Sequence, residues 1–362
     1  MIKPYLRSFK PYPPGKPVEE LRRELGIEGP IIKLASNENP FGPPKKALEA
    51  LSKAAETLNR YPDPSAYELR RALAQKFGVK ESEVVVGNGS NEVLDLLVKA
   101  CLGPGEEALM SDPSFLMYEK FVTAAGGKIK KIPLKNGKHD LEGYLSLVSE
   151  KTRLIFLDHP HNPTGSILTH EVFLAWHRKL PEGVVVVLDE AYGEFINDPA
   201  RVRPLLFKGE RPPVVLLRTF SKAYGLAGLR IGYGIMEEEL ASVLNAIRQP
   251  FNVNTLAQEA ARAALEDENY LRFVLEKTWE ERKRLTRAFQ EMGLKPFPSQ
   301  ANFILVDLGR EARPVYEALL RRGVIVRSME AYGFPTCLRV SIGTPQENTI
   351  FLEKLQEVLG GL

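Results

Sequence analysis

Three short runs limit the fold more than anything else in the chain. "TRLIFLDHP", "GVVVVLDEA" and "PVVLLRTFS" are rich in β-branched residues and apolar throughout. A strand with one wet face would alternate apolar and polar residues. Strands without that alternation are buried on both faces, which is the habit of a parallel sheet covered by helices on each side. Helical patterns alternate with several of these runs, as such a sheet requires. The clearest unit begins with Val84–Val86 and a Gly-Asn-Gly turn. Val93, Leu94, Leu97, Ala100 and Cys101 then recur at helical spacing, and Gly103-Pro104-Gly105 stops the helix. The expected fold class is α/β, a mostly parallel central sheet flanked by helices, with a smaller α+β domain.

A chain of 362 residues suits two units. Residues 1–30 are Pro-rich, then charged, and read as an N-terminal arm with a short helix at "VEELRRELG". Residues 31–245 form the large domain. Beyond 245 the pattern changes: a long charged helical stretch, "EDENYLRFVLEKTWEERKRLTRAFQEMG", precedes strand candidates "NFILVDL", "GVIVRSM" and "CLRVSIG". Residues 246–362 are therefore expected to form the small domain, packed with the arm.

The 49 basic and 46 acidic residues are interspersed, so no nucleic-acid partner is expected. No apolar run approaches the roughly 18 residues of a membrane span. Pro and charge stand at the N-terminus where a signal peptide needs an apolar core. Cys101 and Cys337 are the only cysteines and lie far apart, which fits a reduced, cytoplasmic protein. With five histidines and no CxxC or HExxH pattern, no metal site is expected.

Ligands of open parallel sheets bind beyond the carboxyl ends of the strands, and the polar residues cluster there. Gly87-Asn88-Gly89-Ser90-Asn91 follows one strand and opens a helix, an arrangement that welcomes an anion but is also a plain turn. Asn162-Pro163-Thr164-Gly165 follows the next. Asp189 ends four valines and a leucine, where a carboxylate needs a cation or a helix to cap. Lys222 follows another strand, with Ser221 beside it and Arg230 eight residues on; a guanidinium there suits phosphate. A phosphate cup, an amine, a buried carboxylate and a phosphate-pairing arginine together fit pyridoxal 5'-phosphate. That cofactor needs a lysine to hold it covalently and an acid to keep its ring nitrogen protonated.

The chain resembles the fold-type I pyridoxal-phosphate aminotransferases over essentially its whole length. The motifs are "LASNENPFGPP", "RYPDPSAYELRRALA", "GNGSNE", "HNPTG", "DEAYGEF", "RTFSKAYGLAGLRIGYG", "ANFILV" and "LRVSIGT". "DEAYGEF" and "YGFPTCLRVSIGTPQEN" lean towards the group that acts on histidinol phosphate. The resemblance implies a homodimeric enzyme exchanging an amino group between histidinol phosphate and 2-oxoglutarate/glutamate. It implies that Lys222 carries the cofactor and moves the substrate's proton, that Asp189 pairs with the ring nitrogen, and that Tyr192 and Asn162 bind the ring hydroxyl. Phe115 would stack on the ring. Ser90, Asn91, Ser221 and Arg230 would hold the phosphate, with Tyr61 reaching it from the neighbouring subunit. Arg339 would bind the substrate carboxylate, Arg327 and Tyr12 the substrate phosphate, and Asn37 would line the entrance. His159 and His161 depart from the asparagines usual before Asn-Pro-Thr-Gly, and Phe115 from the tyrosine of some members. An aromatic amino acid aminotransferase, or a phosphothreonine decarboxylase on the same scaffold, stays open as an alternative.

Overall fold

The computed structural model describes residues 2–361 apart from 8, 10 and 12–14. Its strands in chain order are β1 (Ile32–Lys33), β2 (Val84–Gly87), β3 (Glu107–Asp112), β4 (Lys128–Pro133), β5 (Thr152–Asp158), β6 (Val185–Asp189), β7 (Val214–Thr219), β8 (Gly232–Ile235), β9 (Lys295–Pro296), β10 (Phe303–Asp307), β11 (Val324–Ile325), β12 (Arg327–Ser328) and β13 (Cys337–Ser341). A seven-stranded sheet runs in the order β2-β8-β7-β6-β5-β3-β4. Only β8 opposes its neighbours. Because β8 lies between β2 and β7, β2 points the same way as the rest. The carboxyl ends of β2, β5, β6 and β7 therefore meet at one edge.

The apolar runs become the interior of this sheet for the reason their composition suggested. Leu154, Phe156, Val187 and Leu217 face one core. Their chain neighbours Ile155, Leu157, Val186 and Leu188 face another on the opposite side. With a dry core on each face, these positions meet no water, so none of them needs to be polar. Each such side chain contributes on the order of 2 kcal/mol of burial.

The second sheet is antiparallel, in the order β12-β13-β10-β9. Ile304, Val306, Leu338 and Val340 pack under helices Glu268–Glu291, Ala312–Arg321 and Pro345–Gly360. The candidate strand "GVIVRSM" divides in two. Its first half, β11, pairs in parallel with β1, and its second, β12, pairs with β13. The short helix Val18–Leu25 buries Leu21 against Ala35 and Ile325. Helix Thr255–Leu265 places Ala257, Ala260, Ala261 and Ala264 in the core that holds Leu69 and Leu216 of the larger unit. Conversely, Ile32 and Leu34 lie in the core of the second sheet.

Candidate active site

The strand ends and the antiparallel sheet enclose a cleft of about 420 Å³. Its floor is built from residues that break the apolar runs. Asp189 is the last residue of β6 and is in register with Asp158 at the end of β5. Asp189 accepts hydrogen bonds from the Tyr118 hydroxyl (2.8 Å) and the Ala191 N–H (3.1 Å). Burial pushes its carboxyl up to about 6, the charges of Asp158 and Glu190 acting the same way and the two donors opposing them. Asp158 is spoken for differently. Its oxygens accept from the Ser114 hydroxyl and the Asn162 N–H, both at 2.7 Å.

Lys222 stands three residues past the end of β7. Its Nζ donates to the Ser36 carbonyl at 3.0 Å and lies 5.5 Å from the centre of the Tyr192 ring. Burial brings the amine down to about 8, with the nearby Arg339 charge as the next cause. A buried amine that sheds its proton this readily is nucleophilic near neutral pH. Burial raises the Tyr192 phenol, against Arg339 and the Asn37 amide. Asn37 donates to Tyr192 Oη at 3.0 Å and receives a bond from Ser341 Oγ at 2.8 Å, so it ties the floor to the second sheet. It does so with φ +54°, a conformation that asparagine tolerates better than most residues.

An anion cradle lies beside the amine. Helix Ser90–Cys101 starts at the carboxyl end of β2, and its first N–H groups have no intrahelical carbonyl to meet. Gly89, at φ +81°, precedes it; a Cβ there would sit 2.8 Å from Arg230 Nη2. Only glycine lets that guanidinium approach so closely. Arg230 donates to the Ala227 carbonyl (2.9 Å) and Ser221 Oγ (3.3 Å) and is exposed on its other side. An amine, a buried carboxylate without an ion pair among the described residues, and an amide-and-guanidinium cradle fit pyridoxal phosphate in their donor set and order.

The second sheet supplies the opposite wall. Arg339 and Arg327 are direct cross-strand partners on β13 and β12. Arg339 donates to the Ala35 carbonyl (2.9 Å) and Asn162 Oδ1 (2.6 Å). The Arg327 guanidinium lies 5.9 Å from the centre of the Tyr332 ring. Like charges directly opposite repel, so this wall favours anions.

The cleft thus gathers Lys222, Asp189, Tyr192, Asn162, Phe115 and Asn37 with the cradle residues and both wall arginines. It does not gather Tyr61, which is 82% exposed and stacks on Phe251 with ring centres 4.6 Å apart. Tyr12 lies outside the described residues. His159 and His161 are buried beside the site and line no part of the cleft. His159 Nε2 donates to the Leu168 carbonyl (3.1 Å) and His161 Nε2 to the Pro113 carbonyl (3.0 Å). Together with His139 and Asp158, His161 forms a tight buried cluster. Both nitrogens of each ring in it already meet protein partners: Ser111 and Asp158 for His139, Thr164 and Pro113 for His161. Tyr118 and Tyr332 also line the cleft and were missed from sequence. Tyr118 had a signal, since it stands three residues, about one helical turn, after Phe115.

The chain belongs to a known class of enzymes: residues 29–355 match the aminotransferase class I and II family. It is 49% identical over 357 residues to the histidinol-phosphate aminotransferase of Desulfotalea psychrophila, covering 98% of this chain and 94% of that one. It is 44% identical over 353 residues to the enzyme of that name from Moorella thermoacetica, covering 97% and 91%. Among solved structures it is similar to histidinol-phosphate aminotransferase from Sinorhizobium meliloti in complex with pyridoxal-5'-phosphate. That match has 32% identity, a TM-score of 0.91, and coverage of 99% of this chain and 98% of the other.

Proposed function

We propose that the chain is a pyridoxal-phosphate-dependent aminotransferase of histidine biosynthesis, exchanging an amino group between histidinol phosphate and 2-oxoglutarate. One observation carries the chemistry: an amine brought down to about 8 and a buried carboxylate with no ion pair among the described residues face the same cleft from adjacent strand ends. The choice of substrate is supported by near-half identity to enzymes of that name over almost the full chain.

When bound, the cofactor supplies an electron sink for charge at the substrate's α-carbon. Lys222 would hold it covalently and, once released, take the proton from that carbon. Asp189, kept ionised, would stand against the ring nitrogen. Asn162 and Tyr192 would bind the ring hydroxyl and Phe115 would cover the ring. The amides of Ser90 and Asn91, with Ser221 and Arg230, would hold the phosphate. Arg339 would take the carboxylate of glutamate, and Arg327, with Tyr12, the phosphate of histidinol phosphate. Asn37 would line the entrance.

We assign the working unit to a homodimer in the cytoplasm, with exposed Tyr61 reaching the partner's cofactor phosphate. No helix among the described residues is long and apolar enough to cross a membrane. The division into 31–245 and 246–362 is supported by the strands of the seven-stranded sheet and of the antiparallel sheet falling on either side of it, although β1 pairs with β11 beyond it and helix Thr255–Leu265 packs back onto the larger unit. The test is single-turnover absorbance of the loaded enzyme with a panel of amino donors. Histidinol phosphate and glutamate should each convert the cofactor. Carbon dioxide released from phosphothreonine, with no response to histidinol phosphate, would make the protein a lyase instead.

A further inference from the structure

We propose that Tyr118 is a positioning residue for Asp189, holding the carboxylate in place through a neutral hydrogen bond that leaves its charge available to the cofactor ring. The inference rests on the reading that Asp189 faces the ring nitrogen.

The geometry is tight. Tyr118 is fully buried on helix Met117–Ala124. Its ring stacks on Phe156, with centres 4.7 Å apart and planes at 8°, and meets Phe115 edge-on at 5.5 Å. A ring held on two sides has one place for its hydroxyl, and that place is 2.8 Å from Asp189 Oδ2. The same side chain therefore orders the carboxylate and braces Phe115, the ring expected over the cofactor.

The choice of a phenol follows from the charges around Asp189. Asp158 faces it from β5 and Glu190 adjoins it, and both oppose its ionisation. Glu190 is itself answered by Arg218. Lys222 and Tyr192 share the cleft, and the Ala191 N–H holds the other oxygen. A lysine or arginine in the place of Tyr118 would keep Asp189 ionised but would cancel the charge that the ring nitrogen needs. A neutral O–H favours the ionised form without cancelling it. Burial raises the phenol itself well above its usual range, so Tyr118 donates at every working pH.

The test uses the full chain labelled with ¹³C at aspartate Cγ, without cofactor, so that its readout does not depend on turnover. The Asp189 signal is identified by its loss in Asp189→Asn. Tyr118→Phe should raise the Asp189 midpoint above about 6, lowering the ionised-to-protonated ratio near neutral pH on the order of tenfold. Tyr118→3-fluorotyrosine, a stronger donor of nearly the same shape, should lower the midpoint, and it carries the test if the Phe variant does not fold. In the loaded enzyme the acid limb of kcat/KM should move in the same two directions. If both variants leave the midpoint in place, or move it the same way, Tyr118 only fills space and the inference is wrong. If the midpoint moves as expected but Asp189→Asn keeps full activity, the function proposed for the site fails instead.

Discussion

The floor and the wall of the cleft use charge in opposite ways. On the floor, Lys222 and Asp189 are held by named neutral donors or acceptors, and burial displaces both from their ordinary pKa: Lys222 down to about 8, Asp189 up to about 6. On the wall, Arg339 and Arg327 sit directly opposite each other across β13 and β12. Burial costs a charge its hydration, so the Lys222 amine holds its proton weakly and can exchange it, while Asp189 depends on its two donors to stay ionised. Guanidiniums keep their protons in any such setting, so the wall can attract anions but cannot move a proton. The floor is suited to chemistry and the wall to selection.

The sharpest way to break that division is at Lys222. Lys222→Ala should lose turnover by several orders of magnitude, and borohydride should fix no pyridoxyl group to the chain. In the wild type the label should map to Lys222 alone, and a label on another lysine would remove this residue from its role. Asp189→Asn should come next. It keeps the shape and the Tyr118 contact but not the charge, so cofactor should still attach while turnover falls on the order of 10²–10³-fold. Near-normal rates in that variant would leave the floor without its electrostatic function.

Changes on the wall should be smaller and should discriminate between substrates. Arg339→Ala should chiefly weaken glutamate and 2-oxoglutarate, by about 2–5 kcal/mol for a lost buried charge pair. Arg327→Ala should chiefly weaken histidinol phosphate, and by less, because Arg327 is more open to water. Steady-state kinetics with both donors decides; equal losses for both substrates in both variants would show that the wall does not divide its work.

The smallest effect links the two regions. Only the neutral amine of Lys222 can attack an aldehyde, so the rate of cofactor attachment should rise with pH and level off above about 8. Arg339 lies close enough to help hold the amine below its ordinary value. Removing that like charge makes the ammonium easier to keep, so Arg339→Ala should move the attachment midpoint upward. Stopped-flow mixing of the cofactor-free chain with pyridoxal phosphate across pH 6–10 would measure it. An unmoved midpoint would mean that burial alone sets the amine.

The legibility of these parts from sequence follows from how far apart the interacting residues are. Asp189 and Lys222 stood out because each interrupts or follows a run too apolar to hold an ion by accident. Gly89 stood out because a turn before a helix has local requirements. The acceptor for Lys222 did not, since Ser36 lies 186 residues away. Nor did the division of "GVIVRSM", because two residues on either side of Val326 pair with different sheets. The His159 and His161 departures could be seen but not interpreted until their ring nitrogens were traced to carbonyls behind the site.

By itself the sequence determined the parallel sheet, the edge at which its ligand would sit and the chemical types gathered there. Periodicity and strand-end polarity are local properties, and burial on both faces leaves a local signature. Only the tertiary structure shows what holds each carboxylate in place. Asp158 and Asp189 end neighbouring strands in the same register, and both follow apolar runs. Ser114 and the Asn162 N–H occupy both oxygens of one, while Tyr118 and the Ala191 N–H hold the other. Those donors come from a helix and loops folded over the sheet edge, and an ion's protonation depends on every group within a few ångströms, whatever its distance along the chain.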